Sequence, residues 1–459
     1  MMVERQMLRS VLDRLEQAGD LTTCAAPVDP KYELGAVLSY FHSERPILFT
    51  NVRGGNVPVA GGIFGNRRII CALLHTTPEA RLFRLMGALA GGAEPRVVDS
   101  GPVKEKIITR NIDLCRMYPI PTSNELDSGP YITAGMLAYR DPDTGCVHMA
   151  VRRFQVNRGN QLNALISGAS PHLLKMLAAC EQRGQNLECA VILGYDAPFL
   201  LASQFSSMKY GLDKYKVDCA LRGEPLELVR CNSIDFAVPA YAEIVLEGVI
   251  RPGKRGPEGP FAELMGYYGE AGTSPLIELT AVMQRSAPIF QHAFPCREEH
   301  LAYGMVKEAE LYTALSGVVD VRDINLTLGG GCRLHAVVSI HKRSEGDGKS
   351  AILAVLGAYK DIKHVVVVDD DVDIYDMMDV EFALASRFQA ARDLVAVSGA
   401  LGSPLEASHL EHGISDKLGF DATKPLGDTA RRYERAVIPG FNKEFDIKKY
   451  IRSISGGGR

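Results

Sequence analysis

The stretch Lys254–Tyr268, KRGPEGPFAELMGYY, carries two carboxylates, Glu258 and Glu263, with Gly259, Pro260 and Phe261 between them and Gly256-Pro257 just upstream. Gly and Pro at this density exclude a helix interior and predict a tight, pre-shaped loop. Such a loop loses little further entropy on ordering, which suits side chains held at fixed positions around a ligand. Lys254 and Arg255 bring cations next to the acids in sequence, and Phe261, Leu264, Met265, Tyr267 and Tyr268 supply apolar surroundings. A carboxyl among apolar groups has a destabilised charged form, and that is how a glutamate becomes a proton donor near neutral pH. A surface turn with solvated glutamates has the same local composition, so the rest of the chain has to decide.

The 459 residues are 46% hydrophobic and 23% charged, with a formal net charge of −4. That is enough apolar material for two or three domains, and no basic surplus is available for nucleic acid or a membrane surface. The N-terminus, MMVERQMLRS, is charged at once and has no apolar signal core, and no apolar run nears the roughly 20 residues that cross a bilayer. The ten cysteines never fall in C-x-x-C spacing. They read as free thiols in a reducing cytoplasm rather than disulfides or a zinc site.

Working outward, Leu8, Val11, Leu12 and Leu15 recur at helical spacing. Pro46–Leu74 alternates short apolar runs with Gly-Gly pairs and predicts strands and turns, and Thr77-Pro78-Glu79 predicts a helix start. These form a first α/β unit, residues 1–111. The middle, 112–295, is richest in strand signals: His148–Val156, Cys189–Leu193 and Ala242–Ile250. One helix interrupts it, with Ser170 as cap, Pro171 at its first position and Gly184 at its end. Strands with few helices predict a barrel-like domain. From 296 to 459 helices and strands alternate, with Val365–Val368 as a buried strand, which predicts a second α/β unit.

Several side chains outside the loop are candidates for chemistry. His172 follows Ser170-Pro171 at a helix N-terminus, where free N–H groups attract anions, so it suits a phosphate or a metal bound to one. Arg152 and Arg153 are adjacent on a strand and point to opposite faces, one outward and one inward. An inward arginine needs anionic partners, and Glu258 and Glu263 offer two. Lys363 precedes the Val365–Val368 strand and reads more readily as a solvated lysine than as a phosphate counter-ion. The acid run Asp369–Asp373 reads as strand-end capping and surface charge, and Gly329–Gly331 lacks the Lys-Ser/Thr of a phosphate loop.

GPEGPFAELMGYY resembles the hallmark loop of the UbiD-type prenylated-flavin decarboxylases. ALRGEPLELVRCNSIDFAVPAYAEIVLEGVI before it and KHVVVVDDDVDIYD near the C-terminus are similar to that family as well. The resemblance implies an α+β chain: an N-terminal α/β domain, a central flavin-reductase-like split barrel, and a C-terminal α/β domain that makes a homodimer. It implies prenylated FMN, supplied by a separate flavin prenyltransferase, and non-oxidative, often reversible decarboxylation of an aromatic, heteroaromatic or α,β-unsaturated acid with release of CO2. On this resemblance Arg153, Glu258 and Glu263 are the catalytic network, with Glu263 as proton donor. The cofactor contacts fall on His148, Met149, Ala150, Val151, Arg152, Arg153, Pro171, His172, Lys214 and Lys363, and the substrate pocket on His292, Cys296 and Arg297, with His300 nearby. A second reading of the same fold is a non-catalytic flavin-binding or scaffold subunit.

One feature departs from the family pattern. The family's divalent metal, usually manganese with potassium alongside, is held by Asn, His and Glu. Those positions here are His148, His172 and Lys214, with Asp213 beside the lysine. An ammonium cannot ligate a cation. The expectation is therefore a weakened or absent divalent site, with the Lys214 charge standing beside the cofactor phosphate, or else Asp213 as the third ligand. Arg297 is expected to pair either with a second anionic group of the substrate or across a domain interface.

Overall fold

A computed structural model describes residues 6–166, 171–206, 211–295, 297–410, 413–439 and 449–450. Helix α1 (Leu8–Gln17) buries Leu8, Val11, Leu12 and Leu15, the residues its spacing singles out. Strands β1 (Thr22–Cys24), β2 (Ile47–Phe49) and β3 (Val59–Gly61) start a small sheet, with α2 (Glu33–Tyr40) between the first two. The predicted strand-and-turn region ends instead in a helix, α3 (Arg67–Leu73), where the Asn66 side chain caps the Arg68 N–H. Seven residues give barely two turns, too few for a 3.6-residue pattern to stand out. Thr77–Ala80 form a turn, and α4 (Arg81–Gly87) begins after it.

The middle of the chain closes into a barrel. Its strands are β4 (Tyr131–Arg140), β5 (Val147–Arg158), β6 (Gln161–Ala164), β7 (Leu187–Leu193), β8 (Ile244–Glu258) and β9 (Gly272–Gln284). They are antiparallel in the order β8-β7-β4-β5-β6-β9, and β9 pairs back with β8. Closure removes both edges of the sheet. Helices pack outside it, so a strand such as β4 is buried on both faces and reads as a nearly unbroken apolar run. Its Gly135 is required by packing: a Cβ there would lie 2.6 Å from the Phe154 ring. Helices α5 (Pro171–Arg183), α6 (Ala197–Gln204) and α7 (Lys214–Arg222) occupy the connections. Ser170, the predicted cap of α5, lies outside the described residues. β10 (Phe290–His292) leaves the barrel and pairs in parallel with β3, so the first sheet is completed from a distant part of the chain.

Helix α8 (Glu298–Leu315) leads into a five-stranded sheet, β11 (Val321–Leu326), β12 (His335–Ile340), β13 (His364–Asp369), β14 (Leu394–Leu401) and β15 (Ile414–Asp421), ordered β11-β12-β13-β15-β14. β13 lies at its centre. Val365 and Val367 pack with α8 and with α9 (Asp347–Ala358), while Val366 and Val368 pack with α10 (Met377–Arg387). Burial on both faces explains the four consecutive valines. The acids after β13 are not merely surface charge. Asp369 is buried, and Arg387 bonds it at 2.9 Å and Asp371 at 3.0 and 2.9 Å.

The N-terminal helices are tied to the last unit by charge. Glu308 on α8 is fully buried and accepts from Arg67 of α3 (2.7 Å), Arg81 of α4 (3.1 Å) and the Leu326 N–H (2.9 Å). Arg81 also reaches Asp323 and the Ile324 carbonyl, at 2.8 and 2.7 Å. Among the described residues no helix is long and apolar enough to cross a membrane. The nine described cysteines are free, and Cys296 lies outside the described residues.

Replacing one partner of a buried ion network strands the others without water. Glu308→Ala is expected to lower stability by about 3–5 kcal/mol, read as a reduced denaturation midpoint in urea, because Arg67 and Arg81 remain buried.

Candidate active site

The opening stretch is not a free loop. Glu258 is the last residue of β8, paired with Gly272 of β9, and its own sheet register sets its position. Gly259 follows at φ 81, in the left-handed region that favours glycine, and Gly259-Pro260 is a cis peptide. Phe261–Ala262 then pairs with Tyr268–Gly269 in a short hairpin that holds Glu263 in its turn. Lys254 and Arg255 do not serve the acids, since both are exposed and Arg255 bonds Glu181 at 2.6 Å.

The cation between the glutamates is Arg153, from β5. Its Nε and Nη2 donate to both oxygens of Glu258, at 2.8 and 2.9 Å, and its Nη1 donates to Glu263. Burial works against the guanidinium charge, but the carboxylates outweigh it and hold its pKa above the ordinary value. The Phe261 ring lies 4.8 Å from the guanidinium carbon. Tyr131 of β4, whose phenol burial pushes up to about 12, donates to Glu258 and to Gln155 (3.4 and 3.1 Å) and accepts from the Gly259 N–H (3.1 Å). Glu258 is 2% exposed. The Glu263 side chain is 25% exposed and, unlike Glu258, lines a cavity of about 310 Å³.

Ala150, Val151, Arg152 and Arg153 form one wall of this cavity, and His300, Tyr303 and Arg333 another, with Ser203 and Gln204 of α6 between them. The expectation that one of Arg152 and Arg153 faces solvent fails. Both are inside, because β5 is covered on its outer face as well. Burial lowers the pKa of Arg152, whose buried Nε has no hydrogen-bond partner among the described residues. Arg333 lies 4.1 Å from the Tyr303 ring and bonds Asp361 at 2.6 Å. Neither Arg333 nor Tyr303 stood out in the sequence, where arginines and tyrosines on helices and turns are common.

Other predicted residues fall at varying distances from the cavity. Met149 packs into the core. Lys363 bonds Glu406 (2.9 Å) and Ser408 (2.7 Å), and the neighbouring Leu405 touches the cavity. His292 is buried behind the cavity-lining Thr133, whose hydroxyl meets its Nδ1 at 2.9 Å. Arg297 pairs with Glu44 at 3.5 Å, which is the interface role. Pro171 opens α5, and its side chain lies outside the described residues.

His148 and His172 come together, with ring centroids 4.3 Å apart. Burial, and then His172, push His148 down to about 4. The third residue of this cluster is neither Lys214 nor Asp213. Lys214 is 4% exposed, its ammonium donates to the Ser203 carbonyl at 3.1 Å and to that of Phe205, and burial pushes it down to about 7. Asp213 caps α7 and accepts from the Val147 and Tyr215 N–H groups, both at 2.9 Å. The carboxylate beside the two imidazoles is Asp141, from the β4–β5 turn, a residue that turn chemistry in Asp141-Pro142-Asp143-Thr144-Gly145 makes visible only as a turn former.

His292 sets a pH dependence. Burial pushes it down to about 3 from the ordinary 6.5, so between those values the unfolded chain binds a proton that the folded chain does not. Its contribution is complete above pH 6.5 and is lost as pH falls towards 3, at up to about 1.4 kcal/mol per pH unit. The melting temperature of the protein is expected to fall on acidification below pH 6.5, and less steeply in His292→Gln.

Comparison with known proteins agrees with this architecture from end to end. Family models for the N-terminal, Rift-related and C-terminal domains of 3-octaprenyl-4-hydroxybenzoate carboxy-lyase match residues 12–89, 96–298 and 300–422. The anhydromevalonate phosphate decarboxylase of Methanosarcina mazei is 34% identical over 433 residues, 94% of this chain and 99% of that protein. The UbiD-class enzyme HmfF from Pelotomaculum thermopropionicum, solved in complex with FMN, is 41% identical with a TM-score of 0.93, over 97% of this chain and 100% of that one. An evolved dimeric form of that enzyme in complex with prFMN gives 39% identity and a TM-score of 0.89 over the same shares. The three matched domains, the closed six-stranded barrel and the near-complete coverage lead to one conclusion: this chain is a carboxy-lyase of the UbiD family.

Proposed function

We propose that this enzyme decarboxylates an aromatic, heteroaromatic or α,β-unsaturated carboxylic acid without net oxidation, in a reaction that also runs in reverse, with prenylated FMN as cofactor and Glu263 as proton donor. The observation that carries this reading is the asymmetry of the two glutamates: Arg153 grips both, and only Glu263 lines the cavity.

Loss of CO2 from an sp2 carbon leaves an electron pair in the molecular plane, orthogonal to the substrate's own π system, and prenylated FMN, when bound, would supply the electron sink. The rest falls to the protein. Arg153 holds Glu258 through two parallel hydrogen bonds, and Glu258 in turn fixes the guanidinium plane. Glu263, by contrast, is held by a single Arg153 hydrogen bond, from Nη1. Glu263 can then take up a proton, swing off that one contact and deliver the proton to the product carbon, while Glu258 stays put. In the reverse direction the same carboxylate removes the proton.

The cavity wall also suits the cofactor's phosphate end. Arg152 is a half-buried cation whose Nε is buried and has no hydrogen-bond partner among the described residues, and His148 and Ala150 share its face of β5. Arg152, the Ala150–Val151 backbone and the first turn of α5 with His172 would hold a phosphate. His300, Tyr303 and Arg333 face the substrate end, where a basic, aromatic wall favours a planar carboxylate. An intact acid network argues against the scaffold reading, because a subunit that only binds flavin has no use for a proton donor at the cavity wall. The homodimer belongs to the same proposal. It is supported by the exposed Met378 and Phe382 of α10 and by the edge strand β14 with Leu394 and Leu401 exposed.

The test is co-expression with a flavin prenyltransferase and measurement of CO2 release across a panel of aromatic and α,β-unsaturated acids. Glu263→Gln is expected to lower kcat about 10²–10⁴-fold while the bound cofactor keeps its absorbance. Wild-type turnover in that variant rejects the role of Glu263, and absence of turnover on every acid by cofactor-loaded wild type supports the scaffold reading.

A further inference from the structure

We propose that Asp141, His148 and His172 form a divalent-metal site in which an aspartate from the β4–β5 turn replaces the carboxylate missing at Lys214. The site joins three separate pieces of chain: a turn, the start of β5 and the first turn of α5. Asp141 Oδ2 lies 3.9 Å from His148 Nε2 and 3.8 Å from His172 Nε2, and one ligand atom from each residue falls within 4.8 Å of the others. These separations are too long for hydrogen bonds, so the carboxylate is not serving as a proton acceptor for either ring. Donors about 2.0–2.2 Å from one tetrahedral ion sit roughly 3.4 Å apart, so each aspartate–histidine pair is within about half an ångström of the spacing that a shared ion needs.

Two observations show that the donors are prepared for such an ion. Asp141 is 7% exposed, and its Oδ1 is already committed, accepting from the Asp143 N–H (2.8 Å) and the Thr144 N–H (3.4 Å). The turn is closed by Gly145 N–H to the Asp141 carbonyl (2.8 Å) and by Asp141 N–H to the Cys146 carbonyl (3.0 Å). These bonds orient the carboxylate and leave Oδ2 for the cluster, which is how an outer ring of hydrogen bonds fixes a metal ligand. His148, 8% exposed, has a buried Nε2 with no hydrogen-bond partner among the described residues. A buried ring nitrogen without a partner is costly, and a metal ion satisfies it.

Lys214 does not compete for the position. Its ammonium is held by the carbonyls of Ser203 and Phe205, the latter just past the end of α6. Two imidazoles and one carboxylate are a borderline donor set. They favour a first-row transition ion such as Zn²⁺, Co²⁺ or Mn²⁺ over Mg²⁺ or Ca²⁺, which prefer all-oxygen surroundings.

The experiment uses the full chain, stripped with a chelator and titrated with Co²⁺, with visible d–d absorption and elemental analysis as readouts. Wild type is expected to take up a single equivalent with a saturable spectrum. Asp141→Asn is expected to weaken binding at least about tenfold, with an unchanged far-ultraviolet circular dichroism spectrum and, without metal, a melting temperature close to wild type. His148→Ala, which keeps the turn intact, is expected to do the same. Lys214→Glu separates the alternatives. If wild type binds no Co²⁺ and Lys214→Glu binds a full equivalent, or if Asp141→Asn binds as tightly as wild type, the proposal is overturned. Neither readout depends on turnover, so the result stands apart from the fate of the decarboxylase assignment.

Discussion

A buried guanidinium shared by two carboxylates is the constraint around which this molecule is arranged. Arg153 stands on the wall of the cavity between the barrel and the helices outside it, with little of its side chain exposed, and Glu258 and Glu263 meet its charge there with three hydrogen bonds. That demand fixes several other features. β8 must end at Glu258 in register with β9, the chain must reverse at once through Gly259 and Pro260, and the hairpin after it must return Glu263 to the same guanidinium. A slip of one residue in β8 would turn Glu258 to the other face and leave Arg153 stranded. The barrel's register and the chemistry of the site are therefore one requirement.

Charge buried in pairs also ties the first unit to the last and braces the last one internally. Glu308 on α8 collects Arg67 and Arg81 from the N-terminal helices, and Arg387 collects Asp369 and Asp371 at the end of β13. Such networks add little net stability over apolar packing, but they are directional, and a misplaced unit leaves bare charges behind. The cavity lies where these units meet: its walls come from β5, α6, the Glu263 hairpin, α8 and the Arg333 turn. Holding the units in one relation is what holds the wall with Arg153 against the wall with Arg333.

The long helix Glu298–Leu315 and the valine strand are legible because each carries a strong local pattern: a long stretch rich in Glu, Ala, Leu, Met and Lys that outweighs Gly304 in one, β-branched residues in the other. The Glu258/Glu263 stretch stands out through its Gly-Pro punctuation, but it forms the end of a strand and a hairpin rather than the loop that punctuation predicts. Pro257 has no N–H to give and still sits within β8, since the long pairing with β9 outweighs the local turn preference. Arg152 lines the cavity instead of facing solvent for a related reason. Alternation along a strand says only that neighbours point to opposite faces, and both faces are covered here.

The amino-acid sequence alone determined which elements form and where the two glutamates and Arg153 lie along the chain, because propensity, capping and turn chemistry act over a few residues. Its motif also marked His148 and His172 as a pair, and Lys214 as a break in the expected ligand set. Only the tertiary structure decided that Glu263 and not Glu258 reaches the cavity, that Lys214 turns to the carbonyls after α6, and that Asp141 stands opposite the two histidines. Those outcomes depend on distances between segments far apart in the chain, and barrel closure, with the packing of helices around it, sets those distances.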